Sequence, residues 1–116
     1  MSSYEEILKT EYSEEFDTLR KNRMVISYHK YGAMRANYKT EKAIDAIKSM
    51  EMRIQKYKDT GNTEFLVDAA NFAMIEYIYP QHPKAHFRAT DSGESPGVHG
   101  MSVAEANAFF ESVKYE

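Results

Sequence analysis

The chain contains no cysteine. It can therefore build neither a disulfide framework nor a thiolate site, and a reducing compartment suits it. It also lacks any run near the roughly 18 apolar residues that a membrane-spanning helix needs, and its opening MSSYEEIL has neither the basic nor the apolar region of a signal peptide. Both absences lead to the expectation of a cytoplasmic protein without a membrane partner. No Gly-rich phosphate loop, GxSxG elbow or HExxH helix is present, which leaves no legible nucleophile–base pair and little basis for zinc. Basic residues are spread along the chain and the net charge is −3, so the basic stripe of a general nucleic-acid binder is missing too. Strand signals are weak throughout, and the fold class expected is all-α.

What the chain does have is 116 residues, the length of one α-helical domain over 1–116 with a modest core. Small domains leave much of their surface uncovered, so a homo-oligomer is expected. The first helix is expected around 4–12, with Ser3 and Glu6 placed as a capping box. Ser13 caps a second helix running to Tyr31, carried by Phe16, Leu19, Met24, Ile26 and Tyr28 and interrupted by Arg20, Arg23, His29 and Lys30. Gly32 ends it, and 32–40 reads as a connection. Ile44, Ile47, Met50, Ile54 and Tyr57 recur at spacings of 3, 3, 4 and 3, an amphipathic helix over 40–58.

The stretch NTEFLVDAANFAMIEYIYP (62–80) organises the rest. Gly61 suits a left-handed helix end, Asn62 and Thr63 are both capping residues, and Pro80 stops the helix after about 17 residues, roughly 26 Å. Phe65, Leu66, Ala69, Phe72, Ala73, Ile75 and Tyr79 cover most of its circumference, as in a helix buried on nearly all sides. The tight turn 59–62 makes it the antiparallel partner of the preceding helix. A long irregular loop follows over 81–101, and Ser102 with Glu105 caps a C-terminal helix over 103–114. Connections of this length are usually functional or disordered; the loop's Phe87 and histidines favour an ordered segment over a mobile linker.

Candidate chemistry falls in three groups. Glu64, Asp68 and Asn71 lie at i, i+4 and i+7 on the central helix, where carboxylates can hold Mg²⁺ or, more plainly, pair with a basic neighbour. His82, His86, Phe87, Arg88, Thr90, Asp91, Ser92 and Ser95 are in the loop. Arg88 with Thr90 and Ser92 can hold a phosphate, and Phe87 can stack on a base. Arg23, Tyr28, Lys30 and Tyr31 mix aromatic and basic groups on the second helix, either embracing a nucleotide or forming half-buried core.

The segments LRKNRMVISYHKYG (19–32) and KAIDAIKSMEMRIQKYKDTGNTEFLVDAANFAMIEYIYPQHPKAHFRATDSGESPG (42–97) resemble a family of small phage and bacterial proteins that lack an assigned activity. More distantly, the helical hairpin with Asp68 and Asn71 as D-x-x-N is similar to the MazG-like all-α nucleoside triphosphate pyrophosphohydrolases, which the resemblance describes as oligomeric bundles binding Mg²⁺ through EExxE and ExxD. Here the preceding helix reads IKSMEMRIQKYK, with Glu51 alone among Lys48, Arg53 and Lys56. A pyrophosphohydrolase needs several carboxylates to hold its metal; one or two beside basic residues favour direct binding of an anion.

The leading expectation is therefore a binder of a nucleotide-like small molecule without turnover. In a phage setting that implies sequestration of a host nucleotide immune signal in the host cytoplasm. Its ligand-binding residues would be Arg23, Tyr28, Lys30, Asp68, Asn71, Phe87, Arg88 and Thr90, and no cofactor is called for. The competing expectation is a Mg²⁺-dependent hydrolase using Glu64 and Asp68 as metal ligands, with Glu51 as a further candidate. A protein-interaction module with the loop as docking arm is the third.

Overall fold

The computed structural model describes residues 3–40 and 44–90. The chain divides into two compact units, Met1–Pro83 and Lys84–Glu116. Within the described residues the fold is all-α: α1 (Tyr4–Glu11), α2 (Glu14–Tyr31), a π-helix (Arg35–Thr40), α3 (Ala46–Thr60) and α4 (Glu64–Ile78). None of these helices is long and apolar enough to cross a membrane. The helix expected over 103–114 and the loop residues beyond Thr90 lie outside the described residues.

Each helix starts where a short polar side chain can take an orphan N–H. Ser3 Oγ accepts from Glu6 N at 3.2 Å and Ser13 Oγ from Phe16 N at 3.0 Å, while Asp45 Oδ1 accepts from Lys48 N at 3.1 Å. The start of α4 departs from the expected pattern in one detail. Thr63 takes helical angles and makes no side-chain cap, and Asn62 Oδ1 accepts from Glu64 N at 3.0 Å instead. Gly61 closes α3 with φ +74°, its N–H donating to Tyr57 O at 2.7 Å, a left-handed end that a Cβ would strain.

α3 and α4 form the antiparallel hairpin expected from the turn, and theirs is the most extensive packing in the unit. Residues placed symmetrically about the Thr60–Gly61 bond are matched across the hairpin. Lys56 Nζ lies over the Phe65 ring at 5.8 Å, and Ala46 and Ile75, at the open end, are both buried. Val67 and Ala69 complete the buried apolar set among the described residues. Full burial of Val67 and Ile75 contributes about 1.5–3 kcal/mol each before entropy is counted.

Three expectations are corrected. The span 32–40 is not a plain connection: most of it is the π-helix, tied back by Asn37 Nδ2 donating to Tyr31 O at 3.1 Å. A π-turn widens the backbone and inserts a residue, which the 3.6-residue pattern does not reveal. α3 consequently begins at Ala46, not near residue 40, because Asp45 supplies the cap. The central helix is not buried on nearly all sides either, since Ala73 is exposed, Tyr77 is 74% exposed and Ile78 also faces out.

The second helix inverts its expected amphipathicity. Of the apolar residues that carried its expected pattern, Phe16, Leu19, Ile26 and Tyr28 are exposed and Met24 is half-buried. Its half-buried stripe is instead Asp17, Arg20, Met24 and Ser27, with Arg23 at its edge. Asp17 and Arg20 pair with each other there at 3.0 Å, while Arg23 and the Arg20 carbonyl find partners on α4.

Candidate functional site

Those partners are Asp68 and Asn71, one turn apart on α4. Arg23 approaches Asp68 bidentately, Nε donating to Oδ1 at 3.0 Å and Nη2 to Oδ2 at 3.3 Å. The same guanidinium lies 3.5 Å from Glu64 Oε1. Arg53 reaches the carboxylate from α3, with Nε 3.6 Å from Oδ2, and its guanidinium lies over the Phe72 ring at 5.5 Å. Asp68, only 13% exposed, thus holds two arginines from two different helices. The hydrogen bond to Asp68 holds the Arg23 guanidinium above its ordinary pKa, with the carboxylates of Asp68 and Glu64 adding to the shift; it is a permanent cation.

Asn71 is buried, and its Nδ2 donates to Arg20 O at 3.0 Å across to α2. That bond fixes the amide orientation and leaves Oδ1 inward, buried and without a hydrogen-bond partner. An orphaned buried acceptor costs about 1–3 kcal/mol.

These groups border a cavity of about 290 Å³ under the C-terminal half of α2. Its charged rim is Arg23, Lys30, Arg53 and Asp68, and its aromatic walls are Tyr31, Tyr38 and Phe72. Three cations thus face one carboxylate. Lys30 is exposed and has no ion-pair partner among the described residues, so its ammonium is uncommitted. Burial pushes the Tyr38 phenol above its ordinary pKa, against a lowering by nearby Arg53, and the hydroxyl stays neutral. The volume is at the small end of ligand pockets.

A second chamber, of about 230 Å³, adjoins the first. The two share Met24, Ser27, Tyr31, Tyr38, Ile44 and Ile75 as wall residues. Tyr28, Met34 and Asn37 belong to the second alone, and among the described residues no charged one lines it.

Of the residues expected from sequence, Arg23, Lys30, Asp68 and Asn71 come together on the first chamber, and Tyr28 lies on the second. Phe87, Arg88 and Thr90 belong to the other compact unit, where Phe87 is exposed and His86 Nδ1 lies 2.9 Å from Lys84 O. Glu64 and Asp68 share Arg23 between them, so a guanidinium stands where a metal ligand set would need its ion. Among the described residues no group of three His, Asp or Glu gathers into a metal-holding cluster, and Glu51 is exposed on α3.

Arg53, Tyr38 and Phe72 were not among the expected site residues. Two of them were within reach. Counting outward from the Thr60–Gly61 bond in an antiparallel hairpin sets Arg53 opposite Asp68, and Phe72 follows one turn along α4. Tyr38 had no comparable signal, because its position depends on the π-helix. Compared with family models, curated proteins and solved structures, the chain matches none of them.

Proposed function

We propose that the protein binds a nucleotide-like anionic small molecule in the cavity beneath α2 and holds it without turnover. One observation carries this reading: Arg23, Lys30 and Arg53 converge from two helices on an aromatic-walled cavity where the described residues supply a single carboxylate. Guanidinium and ammonium groups meet phosphate oxygens through charge-assisted hydrogen bonds. Tyrosine and phenylalanine faces suit a planar ring. Binding without turnover is supported by the state of Asp68, whose oxygens are taken by Arg23 and Arg53 and so are poorly placed to hold Mg²⁺. A protein of this kind acts by removing its ligand from solution, which fits the sequestration of a nucleotide signal in a host cytoplasm.

The reading includes self-association. Its support is the exposed apolar edge of α2, where Phe16, Leu19 and Ile26 recur at helical spacing beside Arg23 and Lys30. Light scattering on the purified protein tests this part, and a monomer at every concentration would remove it.

The binding reading is tested by thermal shift against nucleoside triphosphates and cyclic nucleotides, with and without Mg²⁺, and chromatography of each ligand afterwards. The expected outcome is a raised melting temperature that needs no Mg²⁺, with the ligand recovered intact. A shift that requires Mg²⁺ and yields nucleoside monophosphate with pyrophosphate would instead make the protein a hydrolase.

A further inference from the structure

The two chambers beneath α2 differ in chemistry more than neighbouring halves of one cavity need to. The first carries every charged group on its rim: Arg23, Lys30, Arg53 and Asp68. Among the described residues the second is lined without a charge, by tyrosines, methionines, isoleucines and small polar groups. A phosphate entering the second chamber would lose its hydration and meet no cation of the described residues, a costly exchange. A planar heterocycle entering it would meet the faces of Tyr28 and Tyr31 and the thioether of Met34, all favourable partners for a π system. Ser27 and Asn37 supply hydroxyl and amide groups for the ring's polar edge.

Tyr28 and Tyr31 are 60% and 67% exposed in the free protein. Large aromatic side chains left this open beside a cavity have apolar area still to bury. The polar chamber by itself does not use Tyr28 at all. Tyr31 and Tyr38 stand on both chambers and therefore at their junction.

We propose that the uncharged chamber is the base subsite: the ligand's phosphates lie against Arg23, Lys30 and Arg53, and its nucleobase lies against Tyr28, Tyr31 and Met34. This rests on the nucleotide-binding reading and deepens it. It makes Tyr28 and Tyr31 specificity-determining residues, with the shared wall at Tyr38 setting the distance between phosphate and ring. A ligand with phosphate but no ring would fill only half of the site, and a ring without phosphate would fill only the other half.

The test is calorimetric titration of the full chain with the four ribonucleoside triphosphates and with inorganic tripolyphosphate, their base-free counterpart. The parent protein, Tyr28→Ala and, as an exposed control on α4, Tyr77→Ala are compared. Loss of one base–aromatic stack weakens binding by about tenfold. The expected result is that Tyr28→Ala loses about tenfold for the tightest nucleoside triphosphate, while Tyr77→Ala matches the parent and tripolyphosphate binds the parent more weakly than the nucleotide does. A Tyr28→Ala protein that binds the nucleotide as tightly as the parent would overturn the subsite and leave the nucleotide reading standing. So would tripolyphosphate binding as tightly as the nucleotide. A parent protein that binds none of the five probes overturns both readings together.

Discussion

Helices α3 and α4 meet mainly through apolar side chains and ring–cation contacts, with one ion pair between Arg53 and Asp68, whereas α2 meets α4 through Arg23, Asp68, Asn71 and the Arg20 carbonyl. The hairpin is held by burial, a non-directional force that tolerates small shifts. The α2 contact is held by directional, charge-assisted bonds that hold only in one register. Charged groups at a helix interface cost desolvation, and a third helix attached only for stability would more simply have turned Phe16, Leu19 and Ile26 inward. Leaving those residues out and bringing arginines in builds a cationic cavity between the two regions. Stability is thus drawn chiefly from the hairpin, while the cavity draws on all three helices.

The difference can be broken from either side. The largest effect is expected from Ile75→Ala, which empties the buried open end of the hairpin. It should cost about 3 kcal/mol and lower the melting temperature of all helices together in a circular-dichroism melt. Asp68→Ala removes the acceptor of both arginines and should cost about 2 kcal/mol, discounted from the upper end because Arg23 is partly solvated. Its signature is graded: amide hydrogen exchange should rise most along α2, which loses the bidentate bond, and less in α3, which loses only the 3.6 Å Arg53 ion pair. Equal loss of protection in the hairpin would mean that the two regions are not held separately.

The smallest effect sharpens the hairpin side alone. The Asp45 carboxyl is held below its ordinary pKa by the Gln81 side-chain amide and then by the Lys48 backbone N–H. A depressed folded-state pKa contributes stability that is present above the unfolded value and lost as pH falls through the lower folded one. The relevant window is therefore acid, below about pH 4. Asp45→Asn keeps a capping side chain and should flatten that acid limb of the stability profile while changing little at pH 7. An unchanged acid limb would mean that the Gln81 and Lys48 contacts do not persist in solution.

The same division governs how much was legible in the sequence. The hairpin could be read because apolar residues recur at helical spacing: Ile47, Met50, Ile54 and Tyr57 mark the α3 pattern, although Ile47 and Ile54 stay exposed, and Gly61 marks its end. α2 was placed correctly from Ser13 to Gly32, but its inner face was not, because periodicity assumes that apolar residues turn inward. Nothing local to Arg20 or Arg23 announces that Asp68 and Asn71, more than forty residues on, supply their partners. The plainer role considered for Asp68, pairing with a basic neighbour, is what the geometry shows. The π-helix escaped for a similar reason, since its one-residue insertion shifts Tyr38 onto the cavity without leaving a pattern in the residues. Arg53 was visible only once the hairpin register was taken literally.

The most direct measurement of the central claim is the affinity of Lys30→Ala for the nucleoside triphosphate that gives the largest thermal shift. Lys30 is exposed and unpaired among the described residues, so its removal should leave the melting temperature of the free protein unchanged. If the cavity holds phosphate, the loss of one charge-assisted contact should weaken binding about tenfold, or about 1.4 kcal/mol. An unchanged affinity in a protein that melts like the parent would contradict the account and move the ligand away from the cavity beneath α2.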